Sequence, residues 1–185
     1  MTRFNLAVIV GSNRRESVNR VLAKALANLG ADKFTFNLVK IDDLPLYNQD
    51  LEVELPKSVI RFKGEIADAD GLLFVTPEHN RSIPTALKNA VDWGTRPWGT
   101  SVWPDKPGFI TGTTGGAVGT ALAQQHLRSV MLGLGMTLLG GEAYITNKPG
   151  LIDDDGNVTD ENTKKFLQSF VDRFATLVGK LSGKG

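Results

Sequence analysis

Short apolar runs alternate along this chain with longer segments of helical period. Residues 6–10 form a continuous apolar run that ends at Gly11, as expected for a strand buried on both faces. Val18, Val21, Leu22, Ala25, Leu26 and Leu29 then follow a helical spacing, and Gly30 stops it. Residues 34–41 alternate like a second strand and lead into a Pro- and Asp-containing loop over 44–51. Leu55, Val59, Phe62 and Ile66 share one helical face, and residues 72–75 read as a third strand that breaks at Thr76-Pro77. Ile83, Leu87, Ala90 and Val91 predict a short amphipathic helix after Pro84. Residues 108–111 predict a fourth strand, followed by a glycine-rich stretch over 112–119. Leu127, Val130, Met131 and Leu134 mark a fourth helix, and a fifth strand falls within 137–145. Phe166, Phe170, Phe174, Leu177 and Leu181 predict the inner face of a last helix, with residues 182–185 as a frayed tail.

Five βα units in series define a single α/β domain over 1–185 with a doubly wound, five-stranded parallel sheet. Helices cover both faces, because each parallel crossover needs one and is right-handed. The common five-strand order is 2-1-3-4-5, which puts the switch point between strands 1 and 3, and ligands bind beyond the strands' carboxyl ends there. The loops after strands 1, 3 and 4 are therefore the ones to inspect.

The first loop is Gly11-Ser12-Asn13-Arg14-Arg15-Glu16-Ser17-Val18-Asn19. A phosphate needs converging N–H groups, hydroxyls and a cation, and a helix N-terminus beside Ser12, Ser17, Arg14 and Asn19 supplies them. The plain alternative is Ser17 as an ordinary N-cap among solvated arginines. Neither G-x-G-x-x-G nor a Walker loop is present. The second loop, Thr76-Pro77-Glu78-His79-Asn80-Arg81-Ser82-Ile83-Pro84, has two prolines that fix its path. Such a rigid loop can present backbone amides to the edge of a planar heterocycle, or it is a well-formed turn with an exposed Glu-His-Asn. His79, with no cysteine nearby, makes no metal site. The third loop, Thr113-Thr114-Gly115-Gly116-Ala117-Val118-Gly119, lets a backbone approach a ring face, or is simply flexible. All three tryptophans fall between Trp93 and Trp103. Trp93 is expected in the core, whereas Trp98 and Trp103 suit a pocket wall or a subunit contact. Arg96 is a candidate for drawing anionic substrate groups to the site, with a solvated surface arginine as the alternative.

Composition narrows the chemistry. There is no cysteine, which removes disulfides, Fe–S clusters and thiolate nucleophiles and fits a reducing compartment. Lys+Arg is 21 against 20 Asp+Glu, so no polyanionic partner and no acidic docking surface is favoured. The first ten residues show no cleavable signal pattern, and no apolar run reaches the roughly 18–20 residues of a membrane span. The expectation is a cytoplasmic protein with no nucleic-acid and no membrane partner.

The stretches Gly-Ser-x-Arg-x-x-Ser-x-Asn at 11–19 and Pro-Glu-His-Asn-x-Ser-x-Pro at 77–84 resemble the NADPH-dependent FMN reductase family. Leu87-Lys88-Asn89-Ala90-x-Asp92-Trp93 and Gln124-x-His126-Leu127-Arg128 extend the likeness over nearly the whole chain. The sequence most resembles that family's quinone and chromate reductases. The resemblance implies a flavodoxin-like fold and FMN as cofactor, with NADPH or NADH as co-substrate. It further implies a small-molecule electron acceptor and a homodimer or homotetramer. It places Ser12, Asn13, Arg14, Ser17 and Asn19 at the FMN phosphate. Pro77, Glu78, His79, Asn80 and Arg81 then run along the isoalloxazine, with Thr114 and Gly115 opposite. From their place beside the predicted pocket, Arg96 and Trp98 are expected to border the substrate face. No catalytic side chain is implied, because the hydride chemistry belongs to the flavin. Tyrosine is usual where His79 stands, and the family's paired glycines and arginine near 119–122 are replaced here by Gly119-Thr120-Ala121-Leu122. The expected activity is NAD(P)H-dependent reduction of quinones, or of chromate, ferric or nitro compounds. The alternatives are a flavodoxin-like electron carrier and a flavin-free scaffold on the same fold.

Overall fold

Successive side chains of the central strands divide between two cores, one on each face of the sheet. In the computed structural model, which describes residues 3–183, strand β1 (Phe4–Val10) sends Leu6, Val8 and Val10 to one side and Ala7 and Ile9 to the other. Strand β3 (Gly71–Val75) does the same with Leu73 and Val75 against Leu72 and Phe74, and β4 (Pro107–Thr114) with Phe109 against Ile110. That strict alternation, apolar on both faces, is why the central strands read as unbroken apolar runs.

Helices α1 (Val18–Leu29) and α5 (Glu161–Ser182) close the first face, and α2 (Lys57–Ala67), α3 (Thr85–Gly94) and α4 (Ala121–Gly133) close the second. With β2 (Phe34–Leu38) at the edge, all pairings are parallel and the order is β2-β1-β3-β4, then β5 (Thr137–Leu138). This is the expected doubly wound, flavodoxin-like sheet. The fifth position is split: β6 (Tyr144–Thr146) pairs with β4 beyond a break at Gly140-Gly141. Arg128 donates to the carbonyls of Leu139 and Gly141 at 3.1 and 2.6 Å, so the break leaves those acceptors satisfied.

Several local expectations need correction. The buried face of α5 is Leu167, Phe170, Val171, Phe174 and Val178, while Phe166 and Leu181 are exposed. Phe170 and Phe174 stack into the core with Phe109 and Phe34, and they set the rotation of the helix. Gly30 does end α1, but at φ −107°, outside the left-handed region. Room explains it instead, since a Cβ there would stand 3.0 Å from the Phe36 ring. Leu55 and Ile83 pack on the second core from outside α2 and α3, which start after Pro56 and Pro84. Strand β4 runs on to Thr114 and takes in part of the glycine-rich stretch. Of the predicted tail, residues 184–185 lie outside the described residues.

Trp103 is core rather than pocket wall or subunit contact. It is fully buried, packs on Phe62 and Phe74, and its indole N–H donates to the Val91 carbonyl at 3.1 Å. Gly94 makes room, because a Cβ there would lie 2.3 Å from the indole. Trp93 is buried as expected, with its N–H donating to the Pro45 carbonyl at 2.7 Å. No helix of the described residues is long and apolar enough to cross a membrane.

Candidate active site at the carboxyl edge of the sheet

The three loops that follow β1, β3 and β4 meet over the sheet's carboxyl edge around a crevice of about 580 Å³, a size usual for small-molecule sites. At this edge the backbones approach closely. A Cβ at Gly112 would stand 2.0 Å from the Thr76 carbonyl oxygen, so β3 and β4 converge here only because position 112 has no side chain. Gly11 donates its N–H to the Val75 carbonyl at 3.0 Å and ties the start of the first loop to the same edge.

From the first loop, Ser12, Asn13, Arg14, Ser17 and Asn19 all line the crevice. Ser17 caps α1 with extended backbone, yet its side chain makes no capping hydrogen bond, and so the hydroxyl and the first N–H groups of α1 are open to a ligand. Arg14 is largely exposed and stands 4.0 Å from Glu16. Asn19 is buried, and its amide is engaged with Thr113, whose N–H donates to Oδ1 at 2.9 Å and whose carbonyl accepts from Nδ2 at 3.0 Å. Asn19 therefore joins α1 to β4 and leaves one N–H to offer.

From the second loop, Pro77, Glu78 and His79 line the crevice, but Asn80 and Arg81 do not. These two are the central residues of a tight turn, at φ +49° and +64°. Paired hydrogen bonds of 3.0 and 2.9 Å between His79 and Ser82 close the turn, the pattern of a type I′ turn. Glu78 turns away from the loop: its carboxylate accepts from the N–H groups of Leu122 and Ala123 at 3.0 and 3.2 Å. It thereby caps α4 from another segment, while Arg81 lies 3.7 Å from its second oxygen. The turn is thus anchored to α4 at the position where Thr120, itself at φ +63°, gives no side-chain cap.

Thr114 and Gly115 line the opposite wall, and nothing lies within 4 Å of a Cβ at Gly115, so a planar ring has space against this backbone. Asn147, just after β6, completes that wall, its N–H donating to the Thr114 carbonyl at 2.8 Å. The sequence carries no pattern that singles it out. Arg96 and Trp98 are not brought to the crevice. Arg96 lies over the Tyr47 ring at 5.7 Å, and Trp98 is 88% exposed.

A crevice at the β1/β3 switch point, with open helix N–H groups and hydroxyls at one end and a slot between two backbone walls at the other, has the layout of a flavodoxin-like flavin site. The residues present fit FMN: the first loop suits a terminal phosphate, and the glycine-bordered slot suits a planar ring. The chain belongs to the NADPH-dependent FMN reductase family, whose model matches residues 4–150. It is 53% identical to a 2-hydroxy-1,4-benzoquinone reductase of Burkholderia sp, over 95% of this chain and 96% of that protein. It is 46% identical to a quinone reductase of Pseudomonas putida, over 95% of each. Its structure superposes with a TM-score of 0.93 on FerB, a flavoenzyme NAD(P)H:(acceptor) oxidoreductase from Paracoccus denitrificans. FerB is 45% identical, and the match covers 96% of this chain and 98% of that one. The protein is accordingly an NAD(P)H-dependent FMN oxidoreductase.

Proposed function

We propose that this enzyme reduces quinones with NAD(P)H, using FMN held in the crevice at the β1/β3 switch point. The observation that carries the reading is the meeting of the three loops there, in a chain 53% identical to a reductase named for a hydroxybenzoquinone. FMN, when bound, would supply the hydride chemistry between NAD(P)H and the acceptor. The chain's own residues bind, orient and enclose. Ser12, Arg14 and Ser17, with the N-terminus of α1, hold the phosphate. The backbone from Pro77 to His79, held in place by the Glu78 cap on α4, would border the ring. Thr114 and Gly115 bound the other side.

In this reading the protein is a cytoplasmic homodimer or homotetramer acting on small molecules. The side chains of Val118 and Leu122, 43% and 38% exposed, supply apolar surface for a subunit contact. A formal net charge of +1 speaks against the acidic docking surface of an electron carrier. The test is steady-state oxidation of NADPH and of NADH by the holoenzyme with 1,4-benzoquinone as acceptor. Turnover that saturates with the quinone is expected, and NAD(P)H oxidation that no quinone accelerates overturns the reading.

A further inference from the structure

Beside the crevice a second hollow, of about 780 Å³, runs between α3 and α4. Thr85 lines both spaces, so they adjoin. The hollow has apolar walls at Leu46, Ile83 and Val130 and an aromatic one at Tyr47.

The chain has two histidines, and both meet at one turn. His79 pairs with Ser82 through the backbone and lines the crevice. His126 reaches the same Ser82 from α4, its Nδ1 3.0 Å from the hydroxyl, and lines the hollow. Reduction of a quinone to a hydroquinone takes two electrons and two protons. A hydride brings both electrons with one proton, so a second proton must come from an acid beside the ring.

The other titratable and charged groups around His126 are committed. The Tyr47 hydroxyl donates to Glu52 at 2.7 Å, and that hydrogen bond, with burial, holds its pKa above the usual phenol value. Lys88 of α3 donates to both oxygens of Asp92, at 2.6 and 2.8 Å. Glu78 of the turn caps α4 beside Arg81. Among the described residues no carboxylate is hydrogen-bonded to His126, and histidine is the side chain most often used as a general acid.

We propose, on the basis of the quinone-reductase reading, that this hollow seats the quinone acceptor and that His126, oriented by Ser82, is the acid that protonates the quinone oxygen. The imidazolium gives its proton to one oxygen, and the hydride originating from NAD(P)H supplies the two electrons and the other hydrogen. Two carbonyls become two hydroxyls, and the neutral imidazole is reprotonated from solvent.

The test compares the holoenzyme with His126→Gln and His79→Gln, using 1,4-benzoquinone, which needs the proton, and ferricyanide, a one-electron acceptor that does not. The expected result for His126→Gln is a roughly 100-fold fall in quinone turnover relative to ferricyanide turnover of the same preparation, the scale of a lost general acid. An unchanged ratio in His126→Gln, or the same fall in His79→Gln instead, overturns the inference while leaving quinone reduction standing. A wild-type enzyme that reduces ferricyanide but no quinone overturns both.

Discussion

Asn19 of α1 and Thr113 of β4, 94 residues apart, exchange two hydrogen bonds at 2.9 and 3.0 Å beneath the crevice. The pair is buried, so neither backbone group of Thr113 has water as a substitute. It fixes the loop after β1 against the loop after β4, and these are two of the three walls of the crevice.

Replacing Asn19 with Ala leaves a buried donor and a buried acceptor unpaired. A loss of roughly 1–3 kcal/mol in stability is expected, with weaker FMN retention. Asn19→Asp should be worse, because a carboxylate oxygen would face the Thr113 carbonyl. Chemical denaturation of the apoprotein measures the first effect and flavin release the second.

Arg14→Ala should weaken FMN binding by roughly 1.5–3 kcal/mol, at least tenfold in Kd, the scale of a charge-assisted hydrogen bond to phosphate. Riboflavin, which lacks the phosphate, should bind wild type and variant alike. Fluorescence titration of apoprotein with both ligands checks this, and an equal loss for both would move the phosphate elsewhere.

Glu78→Ala removes the cap that the second loop places on α4. A cost of about 1 kcal/mol is expected, or roughly 2–4 °C in Tm for a chain of this length. Glu78→Gln keeps one acceptor and should lose less. Thermal melts of the three proteins settle the order.

Asp160, the N-cap of α5, accepts from the Thr163 backbone N–H at 2.7 Å, and this bond holds its carboxyl below the usual value of 3.8. A depressed folded pKa contributes stability that is present above the unfolded value and is lost as pH falls through the folded one. The Tm advantage of wild type over Asp160→Ala should therefore hold from neutral pH down to about pH 4 and shrink below it.

The sheet order and the three site loops were legible because strand alternation and turn residues are local signals that the tertiary structure did not override. The α5 face was read correctly at Phe170, Phe174 and Leu177 and misread at its ends, since the exposed Phe166 and Leu181 are as apolar as the residues that are buried. Gly94, the last residue of α3, and Trp103, in the irregular segment after it, fit each other, and no periodicity marks such a contact. The Glu78 cap and the Asn19–Thr113 pair span 44 and 94 residues, and no spacing rule reaches that far. Arg96 and Trp98 follow α3 in sequence, but the chain carries them to Tyr47 and to solvent rather than to the crevice.

The most direct test mixes oxidised holoprotein with NADPH, and separately with NADH, in an anaerobic rapid-mixing spectrophotometer. Bleaching of the flavin absorbance within about a second by at least one of them is the predicted result, in keeping with ordinary enzyme turnover. Flavin that stays oxidised under both contradicts the account and leaves an electron carrier that depends on a separate reductase.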